Sequence, residues 1–261
     1  MVGREQFSSG TRMAGIKNNK SLGQNWLKNR AILEEIADLA GKGGLCVEIG
    51  PGLGTLTSSL LRRFDKVIAI EFDERLAQNL PKSFPGTGLE VVNGDILQYD
   101  FNQLECDYVI AGNIPYYITS PIIEKVLTVQ NLPRRVVFLV QKEVAERICD
   151  KKETVLSLFV KNHATVKLGP VVRAVEFTPP PKVDSQVIVM EPHAPLLDDE
   201  VFDLIKHGFR SPRKKLIHNL SDYAGKDMVV ATLRNNGISP DARPSDLNLE
   251  MWSRLNRALK R

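Results

Sequence analysis

Gly44-Leu45-Cys46-Val47-Glu48-Ile49-Gly50-Pro51-Gly52-Leu53-Gly54-Thr55 is the stretch that decides the fold. Residues 44–50 form a short apolar run ending in glycine, as expected of a parallel strand buried on both faces. Glycines then fall at every second position, and residues 55–63 read as a helix. A glycine-rich turn between strand and helix lets a ligand approach the backbone closely. Such turns serve NAD, FAD and purely structural roles alike, so the turn alone names no ligand.

Downstream, the same alternation repeats. KVIAIE (66–71) reads as a second strand, 74–83 as a helix and LEVVNGD (89–95) as a third strand. CDYVIAGN (106–113) is a fourth strand, 119–129 a helix, RRVVFLVQ (134–141) a fifth strand, and 142–149 another helix. Strands alternating with helices imply an α/β fold, a parallel sheet with helices on both faces. The pattern changes after a helix at 154–164. VKLGPVVRAVEF and VDSQVIVME are strand-like on either side of the proline-rich FTPPPK, which predicts an antiparallel edge on the same sheet. Beyond Pro192 and Pro195 the chain reads as short helices at 199–209, 212–220, 227–236 and 248–259, with a boundary near 193–197. Upstream, WLKNRAILEEIADLA carries apolar residues at helical spacing from Trp26 to Leu39, which predicts a helix opening near residue 26. Asn25 would then be its cap, or part of a loop closing over a ligand. The reading divides the chain into a mobile lead-in (1–18), an α/β domain (19–195) and a small all-helical domain (196–261).

Composition narrows the classes. The chain has 261 residues, 43% of them hydrophobic and 25% charged, which is ordinary for a soluble globular protein. A net charge of +4 biases it mildly toward anionic partners. Cys46, Cys106 and Cys149 are odd in number and widely spaced, which argues against a disulfide framework or zinc site and fits a reducing compartment. Cys46 and Cys106 read as small core residues. His163, His193, His207 and His218 lack metal-ligand spacing, so no metal is expected. No apolar stretch reaches the roughly 20 residues needed to cross a bilayer, and the N-terminus lacks a signal-peptide pattern. A cytoplasmic protein is the expectation.

Three strand ends carry candidate ligand contacts. Gly50 and Gly52 line the first turn. Glu71 closes the second strand about 20 residues on, where an acid can accept from ribose hydroxyls. Asp95, after the third strand, can accept from an adenine amine or simply cap a helix. Together they indicate an adenosine-containing cofactor without separating NAD from S-adenosylmethionine.

The fourth strand ends in Asn113-Ile114-Pro115-Tyr116. An adenine N6 lone pair is delocalised into its ring, so the amine is a poor nucleophile. The Asn113 side-chain oxygen and the Ile114 carbonyl form an acceptor pair that can hold both N–H bonds and localise the lone pair. Pro115 fixes the backbone so that the carbonyl points into the site. Tyr116 offers a face for stacking, worth roughly 1–3 kcal/mol per base. In FTPPPKVDS, the proline loop is expected to hold Phe177 over the other face of a flipped-out base. Arg210, Arg213, Lys214 and Lys215 cluster before a predicted helix and suit phosphate contact.

With these residues in view, the chain resembles the ribosomal RNA adenine N6-dimethyltransferases, specifically the small-subunit dimethyladenosine transferases. The resemblance rests on GQNWL, VEIGPGLGTLT, IEFDERL, NGDIL, NIPYYITSPI, QKEVAERI and FTPPPKVDSQV, spanning residues 23 to about 189, and more loosely on FRSPRKKLIHNL. It implies a Rossmann-like class I methyltransferase sheet and S-adenosylmethionine as cofactor, contacted at Asn25, Leu27, Gly50, Glu71, Asp95 and Asn113. It further implies dimethylation of two adjacent adenosines near the 3′ end of small-subunit rRNA. The enzyme would work as a monomer on a 30S pre-ribosomal particle, docked by its helical domain. Two positions depart from the family pattern. Trp26 replaces the usual phenylalanine of the GQNF segment, and RSPRKKLIHNL replaces an arginine- and asparagine-rich run. The large-subunit rRNA methyltransferases of macrolide resistance are the nearest alternative; PGLGTLT and YYITSP favour the small-subunit group. A non-catalytic RNA- or DNA-binding relative and a nicotinamide-dependent oxidoreductase are the others.

Overall fold

The computed structural model describes residues 23–104 and 107–260. The expected lead-in at 1–18 and the core assignment of Cys106 lie outside them.

The chain opens differently from expectation. Trp26–Leu27 is a two-residue strand, β1, and the first helix, α1, runs from Arg30–Ala40. Asn29, not Asn25, is its cap: Asn29 Oδ1 accepts from the Ala31 and Ile32 N–H groups. Asn29 Nδ2 donates to Glu176 at 2.9 Å. β1 pairs antiparallel with β8, Phe177–Thr178, through Trp26↔Thr178 and Leu27↔Phe177. The apolar spacing that suggested a longer helix is satisfied by this distant pairing, and Asn29 stops α1 from extending backward.

The main sheet contains β2 (Leu45–Ile49), β3 (Lys66–Glu71), β4 (Leu89–Asn93), β5 (Tyr108–Asn113), β6 (Arg135–Gln141), β7 (Ala164–Val172) and β9 (Ser185–Pro192). Their order is β4-β3-β2-β5-β6-β9-β7. Neighbours from β4 to β6 are parallel; β9 is antiparallel to β6 and β7. The antiparallel edge is present, but the long strand expected over 166–177 ends at Val172, and Ala174–Glu176 turn the chain off the sheet toward β1.

Alternate residues of each central strand enter two cores. Val47, Ile110 and Phe138 face one, packed with Ile122 of α4 (Thr119–Leu127), Ile148 of α5 (Lys142–Cys149) and Val160 of α6 (Val155–His163). Cys46, Val109 and Leu139 face the other, packed with Ile36 of α1 and Leu60 of α2 (Thr55–Leu60). Burial on both faces is why these strands read as continuous apolar runs. With α3 (Glu74–Ser83) between β3 and β4, the chain winds outward from β2 in one direction and from β5 in the other. The crevice between the ends of β2 and β5 is the switch point where doubly wound sheets bind ligands.

The C-terminal helices are α7 (Asp199–Gly208), α8 (Leu216–Ala224), α9 (Lys226–Asn235) and α10 (Leu249–Leu259). They enclose Trp252, Leu204, Leu220 and Leu233, and Leu158 of α6 joins the same cluster. The helix expected at 212–220 begins at Leu216 instead. The Asn219 side chain donates to the Gly208 and Ser211 carbonyls, holding the preceding residues as a turn. Among the described residues no helix is long and apolar enough to cross a membrane.

Candidate active site

A cavity of about 240 Å³ opens at the switch point. Ile49, Ile70, Leu76, Ile96 and Ile122 give it apolar walls, and Glu71, Asp95 and Asn113 supply its polar atoms. The turn after β2 takes the left-handed conformation at Gly50 (φ 66°) and Gly52 (φ 57°), both of which line the cavity. A Cβ on Gly52 would sit 3.0 Å from Trp26 Cδ1 and Nε1, so the indole packs against the back of the turn.

Glu71 is buried at the end of β3. Its Oε2 accepts from Gly52 N–H at 3.0 Å and its Oε1 from Asp73 N–H at 2.9 Å. Burial pushes its carboxyl above the usual range, against the pull of these two N–H groups. Each oxygen keeps acceptor capacity toward the cavity. Asn93, given no role of its own from the sequence, ties the next strand end in by donating to the Glu71 carbonyl at 2.9 Å. Asp73 was also missed, although Asp-Glu-Arg-Leu before an apolar helix is a cap signal. It caps α3, accepts from Gln24 at 3.1 Å, and its pairing with Arg75 holds its pKa down at about 2. Asp95 lines the cavity, and its Oδ1 caps the following turn through Leu97 N–H, so the capping contact leaves the residue at the cavity wall.

Glu48 is the charged residue inside the apolar run of β2. It is 1% exposed, and Thr57 Oγ1 donates to its Oε2 at 2.6 Å. Burial, reinforced by the nearby Glu71 charge and opposed by Thr57, pushes its pKa up to about 8.

Asn113 and Asn25 meet across the mouth. Asn113 Nδ2 donates to the Asn25 carbonyl at 2.9 Å, and Asn25 Nδ2 donates to the Gly23 carbonyl at 3.0 Å. Asn113 Oδ1 and the Ile114 carbonyl accept from no described residue. Both residues line the cavity, as do Pro115 and Tyr116. The Tyr116 hydroxyl, its pKa raised by burial, reaches Ser185 Oγ at 2.7 Å.

Two expected residues lie elsewhere. Leu27 is 1% exposed and its side chain belongs to the core beneath α1, so only its backbone can face a ligand. Phe177 is 3% exposed in that same core and is absent from the cavity walls. Its pairing with Leu27 draws it under the loop, so Phe177 offers no face to the cavity and the expected sandwich of a base between Tyr116 and Phe177 is not formed. Arg210, Arg213, Lys214 and Lys215 are exposed together in the turn before α8. Lys215 pairs with Asp241, and Lys214 Nζ contacts His218 Nε2 at 2.9 Å.

Among the described residues the cavity walls carry two carboxylates and no lysine, arginine or histidine. A pyrophosphate would meet like charge there, and the Gly52 N–H that could greet it is committed to Glu71. A ligand bearing a sulfonium, an ammonium, ribose hydroxyls and an adenine amine finds acceptors throughout. This set of acceptors at the switch point of a doubly wound sheet places the chain among the class I methyltransferases that use S-adenosylmethionine. The chain belongs to the ribosomal RNA adenine dimethylase family, whose model matches residues 15–260. It is 36% identical over 260 residues to the ribosomal RNA small subunit methyltransferase A of Thermosynechococcus vestitus, covering 94% of this chain and 98% of that one. It is 34% identical over 257 residues to the protein of the same description from Mycoplasma capricolum, covering 92% and 97%. Among solved structures it is similar to a dimethyladenosine transferase from Plasmodium falciparum (TM-score 0.72, 29% identity, 88% of this chain and 95% of that one). It is also similar to the 23S rRNA methyltransferase ErmE (TM-score 0.73, 26% identity, 90% and 100%).

Proposed function

We infer that this chain is an S-adenosylmethionine-dependent rRNA (adenine-N6,N6)-dimethyltransferase acting on two adjacent adenosines near the 3′ end of small-subunit rRNA. The observation that carries the mechanism is the commitment of Asn113 Nδ2 to the Asn25 carbonyl. It fixes the amide so that Oδ1 is the remaining polar atom, beside the Ile114 carbonyl, which accepts from no described residue. These two acceptors can take both N–H bonds of an adenine amine and draw its lone pair out of conjugation. Pro115, with φ −58° and ψ 131°, sets the direction of the turn that carries them. Tyr116 stacks on one face of the base.

The bound donor supplies a methyl group on a sulfonium, whose departure as a neutral thioether needs no acid. Glu71, Asp95 and the glycine turn hold it, and Asn25 and Trp26 close the near side. The protein's task is positioning, and no strong base is required.

Residues 19–195 serve as the catalytic unit and 196–261 as a docking unit that applies Arg210, Arg213, Lys214 and Lys215 to rRNA phosphates. The partner is a 30S pre-ribosomal particle in the cytoplasm, met by a monomer. The test is mass spectrometry of rRNA from a strain with and without this gene, with primer extension on each rRNA. Loss of N6,N6-dimethyladenosine from the small-subunit RNA is expected; loss from large-subunit RNA alone would favour the macrolide-resistance type of activity.

A further inference from the structure

Tyr116 is held at both ends. Its backbone lies in a turn closed by Ile118 N–H donating to the Pro115 carbonyl at 3.2 Å, with Thr119 Oγ1 3.3 Å from the Pro115 and Tyr116 carbonyls. Its hydroxyl meets Ser185 Oγ at 2.7 Å. Ser185 is fully buried at the start of β9, in register with Gln141 of β6 and Val172 of β7. A strand paired on both sides is a rigid mount. The preceding residue strengthens it: the Asp184 carbonyl accepts from Lys142 N–H at 3.0 Å and its Oδ1 from Ala174 N–H at 2.9 Å. Among the described residues, Ser185 Oγ has no hydrogen-bonding partner besides Tyr116.

We propose that Ser185 is a positioning residue for methyl transfer, fixing where over the site the Tyr116 ring, on which the target adenine stacks, is held. A half-buried tyrosine with a free hydroxyl can swing about its first side-chain torsion; one tethered at the para oxygen, which lies on the axis of the second torsion, is held against that swing. Stacking rewards a ring held at a fixed place, and the amine must meet Asn113 and Ile114 with little freedom to search. The Asp-Ser pair after the proline loop then has a role that Phe177, buried beneath, does not fill. The proposal rests on the reading of Tyr116 as the stacking surface.

The test uses the full-length enzyme with labelled donor and 30S particles from a strain lacking the gene. Ser185→Ala and Tyr116→Phe delete the same hydrogen bond from opposite sides, and both keep the ring. Each should lower kcat/KM for the particle about three- to tenfold, the range one hydrogen bond spans. The double variant should be no worse than either single one. S-adenosylhomocysteine affinity, measured by calorimetry, should stay at the wild-type value, which a general loss of structure would not allow. Wild-type kcat/KM in Ser185→Ala, losses that multiply in the double variant, or a parallel fall in S-adenosylhomocysteine affinity would each overturn the proposal. If Ser185→Ala does not fold, Tyr116→Phe carries the test: it should show the same loss, and wild-type kcat/KM would overturn the proposal. Tyr116→Ala separates the underlying reading. Full activity there removes the stacking surface itself, whereas a defect there without one in Ser185→Ala removes only the positioning role.

Discussion

Asn113 Nδ2 donates to the backbone carbonyl of Asn25, 88 residues away in sequence, at 2.9 Å. On the proposed mechanism one side chain serves two sites: its nitrogen holds the loop over the donor, and its oxygen takes the target amine. Asn113→Ala should lower kcat by on the order of 10²–10³, the loss seen when one such preorganised group is removed. Donor affinity should weaken only a few-fold, through the loosened Asn25 loop. Calorimetry with S-adenosylhomocysteine beside a transfer assay separates the two effects. Full transfer activity in the variant would sink the mechanism.

Glu71 spends one acceptor site on each oxygen on a buried backbone N–H. Glu71→Gln must turn its amide nitrogen toward either Gly52 or Asp73, leaving that N–H facing a donor. Thermal unfolding should show a stability loss of about 1–3 kcal/mol, and donor affinity should fall at least about tenfold, the equivalent of one charge-assisted hydrogen bond. A variant as stable and as tight as wild type would mean that Glu71 faces away from both tasks.

Glu48 makes stability depend on pH. Its folded pKa of about 8 lies above its ordinary value of 4.5, so the folded state retains a proton that the unfolded chain releases. Stability is therefore highest below pH 4.5 as far as this group is concerned. It falls as pH rises toward 8, by up to about 1.4 kcal/mol per unit, and is level beyond. Glu48→Gln keeps an acceptor for Thr57 and removes the titration. The difference in Tm between variant and wild type should move in the variant's favour from pH 5 to pH 8. Parallel Tm curves would show that Glu48 titrates normally.

Gly52 and Trp26 form a further test pair. Gly52→Ala places a side chain on a left-handed backbone, costing about 1–2 kcal/mol, and drives a Cβ to 3.0 Å from the indole. In a Trp26→Phe background the smaller ring has room to yield, so the same substitution should cost less. A double-mutant cycle on thermal stability reads the coupling; strict additivity would mean the contact is inconsequential.

The parallel sheet was legible because strands buried on both faces leave nearly continuous apolar runs, as in Leu45–Ile49, broken only by Glu48, and within Arg135–Gln141. Glu71, Asp95 and Asn113 were legible because the fold fixes where such strands end. Trp26 and Phe177 were misplaced because both take part in a pairing between residues about 150 apart, which local spacing cannot encode. Helical periodicity fitted Trp26–Leu39 well; Asn29 was an equally good cap three residues inside it, and the β1–β8 pairing chose between them. Ser185 carried no local signal, since a buried serine in a strand acquires meaning only from the tyrosine it meets.

The basic turn before α8 gives the remaining prediction. Arg210, Arg213, Lys214 and Lys215 are all exposed, but they are not equally free. Lys215 is paired with Asp241, and Lys214 is in contact with His218. Arg210 and Arg213 form no ion pair among the described residues, so they can engage phosphate without giving up a partner. Phosphate contacts release counterions, and each one removed flattens the dependence of log affinity on log salt by about 0.9. Neutralising all four should lower that slope by up to about 3–4, with Arg210→Ala and Arg213→Ala together accounting for the larger share. S-adenosylhomocysteine affinity should not move, because the turn is remote in sequence and absent from the cavity walls. Filter binding of the variants to 30S particles across a salt series measures the slope directly. A slope unchanged in the fourfold variant would show that the helical domain docks by another face.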